Sequence, residues 1–243
     1  MTAAAPRRGG KTAQELMREL ESDPEFLAQQ ARRDRDHAVA VARNRTDAAP
    51  LLAHLAAAGF PVSSVAELKQ QRDRYRAAIP VLLAWLPRLD NPDVKRDVVG
   101  ALGVKWAAGD VVGPLLAEFE RVKDPTGEGL RWTIGWALSV VATDEALGEI
   151  LRLAGEKRYG RARQMLVAAL GNMKDPRAVA AAREFLRDDL LVAPAIAALR
   201  KLNAREARAE VEPFLAHPDA FVRTEARKAI AKFDRANGGR AGR

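Results

Sequence analysis

Residues 130–141, LRWTIGWALSVV, place Leu130, Ile134, Ala137, Leu138 and Val141 on one side of a helix and Trp132 and Trp136 on nearly the opposite side. A surface helix needs one apolar stripe. A helix with two has to be covered twice, by another part of the chain or by a partner. Four further segments, VKRDVVGAL, ARQMLVAAL, LVAPAIAAL and VRTEARKAI, align with it on a small-apolar pair late in the helix. The pairs begin at Ala101, Ala137, Ala169, Ala198 and Ala229, at separations of 36, 32, 29 and 31 residues. Two antiparallel helices of about 12 residues joined by short turns occupy about 30 residues, so each period predicts one helical hairpin.

Turn chemistry supports this division. DNPDV, KDPTGEG and AHPDAF precede the second helix of three units, with Asp or Asn available to cap and Pro suited to a first helical turn. Asp175 and Pro176 start the first helix of the fourth unit instead, and Gly155 and Gly160 flank the connection in the third. Ahead of the repeats the helical pattern is less regular. A Thr12/Glu15 capping box precedes Leu16, Met17 and Leu20; Pro24 opens a second helix with Phe26 and Leu27; a third run, PLLAHLAAAG, ends at Gly59. A Ser64/Glu67 capping box then leads to Leu68, Tyr75, Ile79, Leu82, Leu83 and Leu86 at helical spacing, a run that Pro80 is expected to end or kink.

The turn Asp or Pro, the apolar-basic pair and the Ala-Leu pair, as in NPDVKRDVVGAL and HPDAFVRTEARKAI, resemble HEAT repeats of the short form found in phycobilin-lyase-like proteins. The resemblance covers residues 75–233. It implies an all-α, right-handed α-solenoid of about five HEAT-like hairpins, with second helices lining a concave surface that binds other macromolecules. Residues 12–74 are then an N-terminal helical cap, needed to cover the outer apolar face of the first repeat, and residues 1–11 and 234–243 are disordered basic tails.

Composition adjusts this picture at few points. Hydrophobic residues make up 48% of the 243, ample for a core, and aromatics only 5%, which favours close helix packing over sheet. Cysteine is absent, which removes disulfides, thiolate metal sites and cysteine nucleophiles. No apolar run follows the N-terminal arginines and none approaches a membrane span, so the expected location is cytoplasmic. The formal charge of +8 belongs mostly to the ends: without Arg7, Arg8, Lys11, Arg235, Arg240 and Arg243 the body holds 34 basic against 32 acidic residues.

Candidate binding residues come from the aligned columns. Lys95, Arg131, Arg163, Val192 and Arg223 occupy one position, six residues before each Ala. Four cations there read as a ladder paired with turn or neighbouring acids such as Asp93, Asp124 and Glu128, with a nucleic-acid track as the alternative. The columns of Trp132 (Arg96, Trp132, Gln164, Ala193, Thr224) and Trp136 (Gly100, Trp136, Ala168, Ala197, Lys228) are aromatic in one unit only, which marks a surface rather than a shared core. Trp106 could extend it, and Arg96 and Arg131 have the composition of a hot spot around the indoles. Packing over Gly100 or Ala168 is the other fate open to them. Trp85 reads as ordinary core. The charged run QQARRDRDHAVAVARNR, with Arg32 and Asp36 at pair spacing, reads as a solvated face with His37 exposed.

Catalytic machinery does not assemble. His37, His54 and His217 show neither the His-Glu pairs through which some short-HEAT enzymes hold iron nor another metal spacing. Asp144-Glu145 and Asp188-Asp189 fall at loops or helix starts, and GEGLRW is a weak phosphate-nest signal without a strand before it. The sequence thus predicts a non-catalytic scaffold or regulatory adaptor without a cofactor, binding a protein with an acidic or polar segment through Trp132, Trp136, Trp106, Arg96, Arg131, Lys95 and Arg163. The rival reading is a nucleic-acid-binding protein, possible in the form of a HEAT-like DNA glycosylase, for which no catalytic acid can be assigned. A lyase or chaperone for a tetrapyrrole is a third option, resting on the resemblance alone.

Overall fold

The computed structural model describes residues 12, 14, 17, 22–71 and 74–238. The expected tail 1–11 and Glu15, Leu16 and Leu20 of the first expected helix lie outside these. The described residues are helical, with no strand among them. They divide into two compact units, Met1–Asp47 and Ala48–Arg243.

The first unit holds most of α1 (Pro24–Ala57), which Pro24 opens as expected. Asp23 caps it, its Oδ1 accepting the Glu25 N–H at 2.9 Å. The predicted third run is the continuation of this helix and not a separate element, with Pro50 inside it. Pro50 and Thr46 are exposed, so the carbonyl deprived of its partner can turn to water. From Ala48 on the helix belongs to the second unit, where Leu51 and Leu55 are buried. Residues 48–74 of the expected cap therefore share a core with the repeats, through Leu51, Leu55, Val65 and Leu68.

The run from Ser64 to Leu86 is not one helix. A 3-10 segment, Val65–Gln70, is followed by a break and by α2 (Ile79–Trp85), and Pro80 opens this helix instead of ending one. Its fixed φ and missing N–H suit a first turn, where no intrahelical bond is lost. The expected capping box does not form: Glu67 accepts the N–H of Ser63 at 2.9 Å and not that of Ser64, and the Ser64 hydroxyl reaches Glu67 and caps nothing.

Beyond this point helices alternate as the period predicts: α3 (Pro92–Leu102), α4 (Ala108–Arg121), α5 (Leu130–Val141), α6 (Leu147–Gly155), α7 (Arg163–Leu170), α8 (Arg177–Glu184), α9 (Val192–Leu202), α10 (Arg208–Val211) and α11 (Ala220–Gly238). The second helices α3, α5, α7, α9 and α11 pack side by side in succession, and each also packs on the helix before it. The five column alanines, Ala101, Ala137, Ala169, Ala198 and Ala229, are all buried at these contacts, followed by Leu102, Leu138, Leu170 and Leu199 at 0% exposure. Small side chains let the backbones approach, and the next residue fills the space between hairpins. Three expected caps form: Asn91 accepts from Asp93 and Val94 at α3, Asp175 from Arg177 at α8, and Asp219 from Phe221 at α11, while His217 accepts the Asp219 N–H at 3.1 Å; in KDPTGEG the helix starts only after Gly129, and Pro125 stays outside its first turn.

The C-terminal segment differs from the expected tail. Residues 234–238 continue α11, because Phe233 is buried and Asp234 pairs with Arg208 at 2.7 Å. Residues 239–243 lie outside the described range.

Candidate functional site

Helix α5 divides as its pattern predicts. Leu130, Ile134, Ala137, Leu138 and Val141 are buried, while Trp132 is half-buried and Trp136 is 40% exposed on the other side. Trp136 lies over the end of α3: a Cβ placed on Gly103 would stand 3.0 Å from Trp136 Cζ3, so glycine there makes room for the indole edge. Lys69 Nζ sits 5.7 Å from the centre of the indole, attracted by the negative face of the ring. Trp132 instead lines a shallow pocket of about 290 Å³ with Glu128 and Arg161, which pair at 3.3 Å.

Trp106 is not joined to this pair. It stacks edge-on against Tyr75, 5.0 Å between ring centres, with the Arg76 guanidinium 5.4 Å from its own ring. Tyr75 is in turn fixed by its hydroxyl, which donates to the Ala101 carbonyl at 2.8 Å, and its burial raises the phenol pKa. Trp85 departs from the core assignment: it is half-buried, and its indole N–H donates to His54 Nδ1 at 2.9 Å because an indole at the edge of the core needs an acceptor.

The basic column corrects the expected contact set. Lys95, Arg131 and Arg163 are 8%, 6% and 5% exposed, and their donors are engaged inside the molecule. Lys95 Nζ is 2.7 Å from Glu118, which Arg121 also pairs. Arg131 donates to the carbonyls of Phe119 at 3.0 Å, Val122 and Asp124, closing the end of α4. Arg163 donates to the Ala154 carbonyl and to Asp188, while Arg223 bonds the carbonyls of His217 and Pro218. A buried cation with its donors committed to orphaned helix-end carbonyls cannot also bind a partner without breaking the helix ends. These residues form the ladder, although not with all the acids expected, since Asp93 pairs with Arg96 and Glu128 with Arg161. Arg96 alone of the cationic candidates is exposed, at the rim of a cleft of about 700 Å³ shared with Asp90, Lys95, Glu118 and Lys123.

The GEGLRW nest is real and already filled. The N–H groups of Gly127, Gly129 and Arg131 all donate to the Asp124 carboxylate at 3.0 Å. Gly127 and Gly160 have φ of +68° and +53°, and a Cβ on either would run into the backbone of the other's loop, 2.3 Å from the Tyr159 oxygen and 2.4 Å from the Thr126 oxygen.

A row of groups at the C-terminal ends of the second helices escaped the sequence reading. Asn172 donates to the Ser139 carbonyl at 2.6 Å and accepts from Lys201 Nζ, and Lys232 Nζ donates to the Arg200 carbonyl at 2.8 Å. This chain links α5, the end of α7, α9 and α11. Burial pushes the Lys201 ammonium below its ordinary pKa, and the charges of Lys105 and Arg200 add to this. The signal was present in the same alignment, since Asn172, Lys201 and Lys232 each stand three residues after the column alanine. Near the other end, loss of solvation raises the Asp97 carboxyl, opposed by Arg96 and Lys69 and reinforced by Asp93.

Carboxylate pairs occur on both sides of the helix layers, since Arg200 and Lys228 of the second helices share Glu225. On the first helices Arg152 pairs with Glu120, Glu149 and Glu156, Arg183 with Glu210, and Arg208 with Glu212. Lys69 of the 3-10 segment Val65–Gln70 faces a ring, while Lys201 and Lys232 of the second helices meet an amide and a carbonyl. Such a face can hold a flat apolar group on Trp136 and orient a negative one beside it. Among the described residues no cluster of three or more His, Asp or Glu is placed to hold a metal ion, and no single helix is long and apolar enough to cross a membrane. Compared with known proteins, the chain matches no family model and no curated sequence.

Proposed function

We propose that this protein is a non-catalytic scaffold or adaptor of the HEAT-like kind, a right-handed solenoid of about five hairpins that holds an acidic segment of a partner protein in the cytoplasm. The observation that carries the reading is Trp136, exposed on the second-helix face with the Lys69 ammonium against its ring. Two further features support it. Successive second helices pack against one another more extensively than successive first helices do, as neighbouring hairpins of a HEAT-like array would. The fixed array also loses little conformational entropy on binding. In this reading Trp132 and Trp136 anchor, and Lys69 and Arg96 orient acidic side chains.

The test is a calorimetric titration with peptides of alternating Glu and aromatic residues. The wild type is expected to bind, and Trp132→Ala/Trp136→Ala to lose binding while still unfolding in one cooperative transition. Failure of the wild type to bind, or loss of the fold in the variant, rejects the anchor. A nucleic-acid reading is favoured by one observation, the cations of the second-helix ends that meet amide and carbonyl partners instead of carboxylates. It requires duplex or single-stranded DNA to bind with a steep salt dependence that Lys69→Gln, Lys105→Gln and Lys201→Gln flatten.

A further inference from the structure

Two lysines from helices that are not neighbours are brought to the same part of α5. Lys105 comes from the end of α3. A Cβ on Gly103 would stand 3.0 Å from Trp136 Cζ3 and 3.2 Å from Ala137 Cβ, and the 3-10 turn that follows, Lys105–Ala107, packs on α5. Lys201 comes from the end of α9, over a second glycine. A Cβ on Gly171 would lie 3.1 Å from Lys201 Cδ, so the lysine stem crosses the end of α7 where a side chain would obstruct it. Its ammonium donates to Asn172, which donates in turn to the Ser139 carbonyl of α5 at 2.6 Å. Ser139 lies one turn beyond Trp136, and its hydroxyl donates to the Trp136 carbonyl at 2.7 Å. The charge of Lys105 reaches Lys201 across this span and, after burial, helps hold its ammonium below the ordinary pKa.

Lysines near a helix C-terminus commonly serve the last carbonyls. Here those carbonyls are otherwise engaged: Val99 accepts the Gly103 N–H, Ser139 accepts from Asn172, Leu199 accepts the Ala204 N–H, and Arg200 accepts from Lys232. Lys105 and Lys201 are exposed, and among the described residues neither is paired with a carboxylate. Lys69, which faces the Trp136 ring, differs, because its charge already acts on the Asp97 carboxyl. Two ammoniums held near one another repel, and an anion that touches both removes the repulsion.

We propose that Lys105 and Lys201 bind a phosphate monoester beside Trp136, carried by a phosphorylated residue of the acidic segment. The inference rests on the proposed function for its partner and on the two lysines for its chemistry. A carboxylate brings one negative charge to the pair. A phosphate monoester brings about −1.5 to −2 at neutral pH and three acceptor oxygens, so it can balance both ammoniums at once. Lysine suits a tetrahedral anion because its three donors turn on a flexible stem. The Trp136 ring, 40% exposed, offers an apolar platform for the residue next to the phosphate.

Inorganic phosphate added to the full chain, followed by NMR at the lysine ε-carbons, tests the chemistry. At neutral pH it is expected to shift the Lys105 and Lys201 signals saturably. Lys201→Gln should abolish the shift at Lys105, while Lys157→Gln, which removes the same charge from another exposed position, should leave both shifts unchanged. No saturable shift at either lysine, or a shift at Lys105 that survives Lys201→Gln, overturns the site. Calorimetry tests the partner, with the peptide of alternating Glu and aromatic residues and with the same peptide carrying phosphoserine in place of one Glu. The phosphopeptide should bind at least about tenfold more tightly through its added charge-assisted hydrogen bonds. Lys105→Gln or Lys201→Gln should bring the two peptides to equal affinity. Equal affinity for the wild type overturns the phosphorylated residue and leaves the scaffold reading intact. Saturable phosphate binding with neither peptide bound rejects the scaffold reading instead and gives the site to a free phosphate monoester.

Discussion

Asp124 is the clearest case of one side chain organising a turn. Burial by itself would raise its pKa, but hydrogen bonds from the N–H groups of Arg131, Gly127 and Gly129 and from the Thr126 hydroxyl outweigh it, and the carboxyl ends below its ordinary value. Because the folded value lies below the unfolded one, the ionised form contributes stability that is complete above the unfolded carboxylate range and is lost as pH falls through the folded value. Asp124→Asn is expected to cost about 2 kcal/mol at neutral pH, since bonds to a charged acceptor are replaced by weaker ones to an amide. In urea unfolding the difference from the wild type should shrink on acidification. A difference independent of pH would show that shape and not charge matters there. The sequence pointed to these glycines as a nest for an external anion. The missing fact was that Asp124 folds back into it, and a five- or seven-residue return is set by loop geometry that no periodicity encodes.

At the scale of the element, α5 shows both what a helical period specifies and where it stops. Angular position alone assigned Ile134 and Leu138 to the core and the indoles to the other side, as found. It could not say whether that other side would be covered. The two faces should respond differently to truncation: Ile134→Ala is expected to cost about 3 kcal/mol through the cavity it leaves, whereas Trp136→Ala should cost less than about 1 kcal/mol, because much of the ring already faces water. Thermal unfolding of both variants checks this, and equal losses would make Trp136 a packing residue. The run from Ser64 to Leu86 shows the opposite failure. Apolar spacing there matched a helix, but it was contributed by separate segments that meet the same core, Val65 and Leu68 from one and Ile79 and Leu82 from the next. Periodicity detects a shared buried face, and it cannot tell whether the backbone between two matching residues is continuous.

Across the whole molecule the charges matter through their placement more than their sum. Lys201 lies below its ordinary value of 10.5 through burial first and then through Lys105 and Arg200. For a lysine lowered in this way the protonated form is disfavoured by folding, so the cost is present at neutral pH and is relieved as pH rises through the interval between the folded and ordinary values. Lys105→Gln should therefore raise the Lys201 pKa, measured by following its ε-carbon in an NMR titration. No movement would mean that burial alone sets it. Lys105 and Lys201 belong to helical elements far apart in the chain, and nothing in their sequence positions announced the proximity.

The order of residues was sufficient to establish an all-helical chain, the succession of second helices and the buried alanine column, because a repeated contact leaves a repeated mark and each hairpin must bury the same face against its neighbour. It also located the basic column and favoured its role as an internal ladder, although not the carbonyl partners of Arg131 and Arg163. Only the tertiary structure decided that Arg131 and Arg163 serve carbonyls within the core, that Trp106 belongs with Tyr75, and that Lys69 and Lys201 border the exposed face. Those outcomes depend on which groups from distant turns arrive within hydrogen-bonding reach of one another. Such distances of a few ångströms are settled by the packing of the whole array and not by the spacing within any one helix.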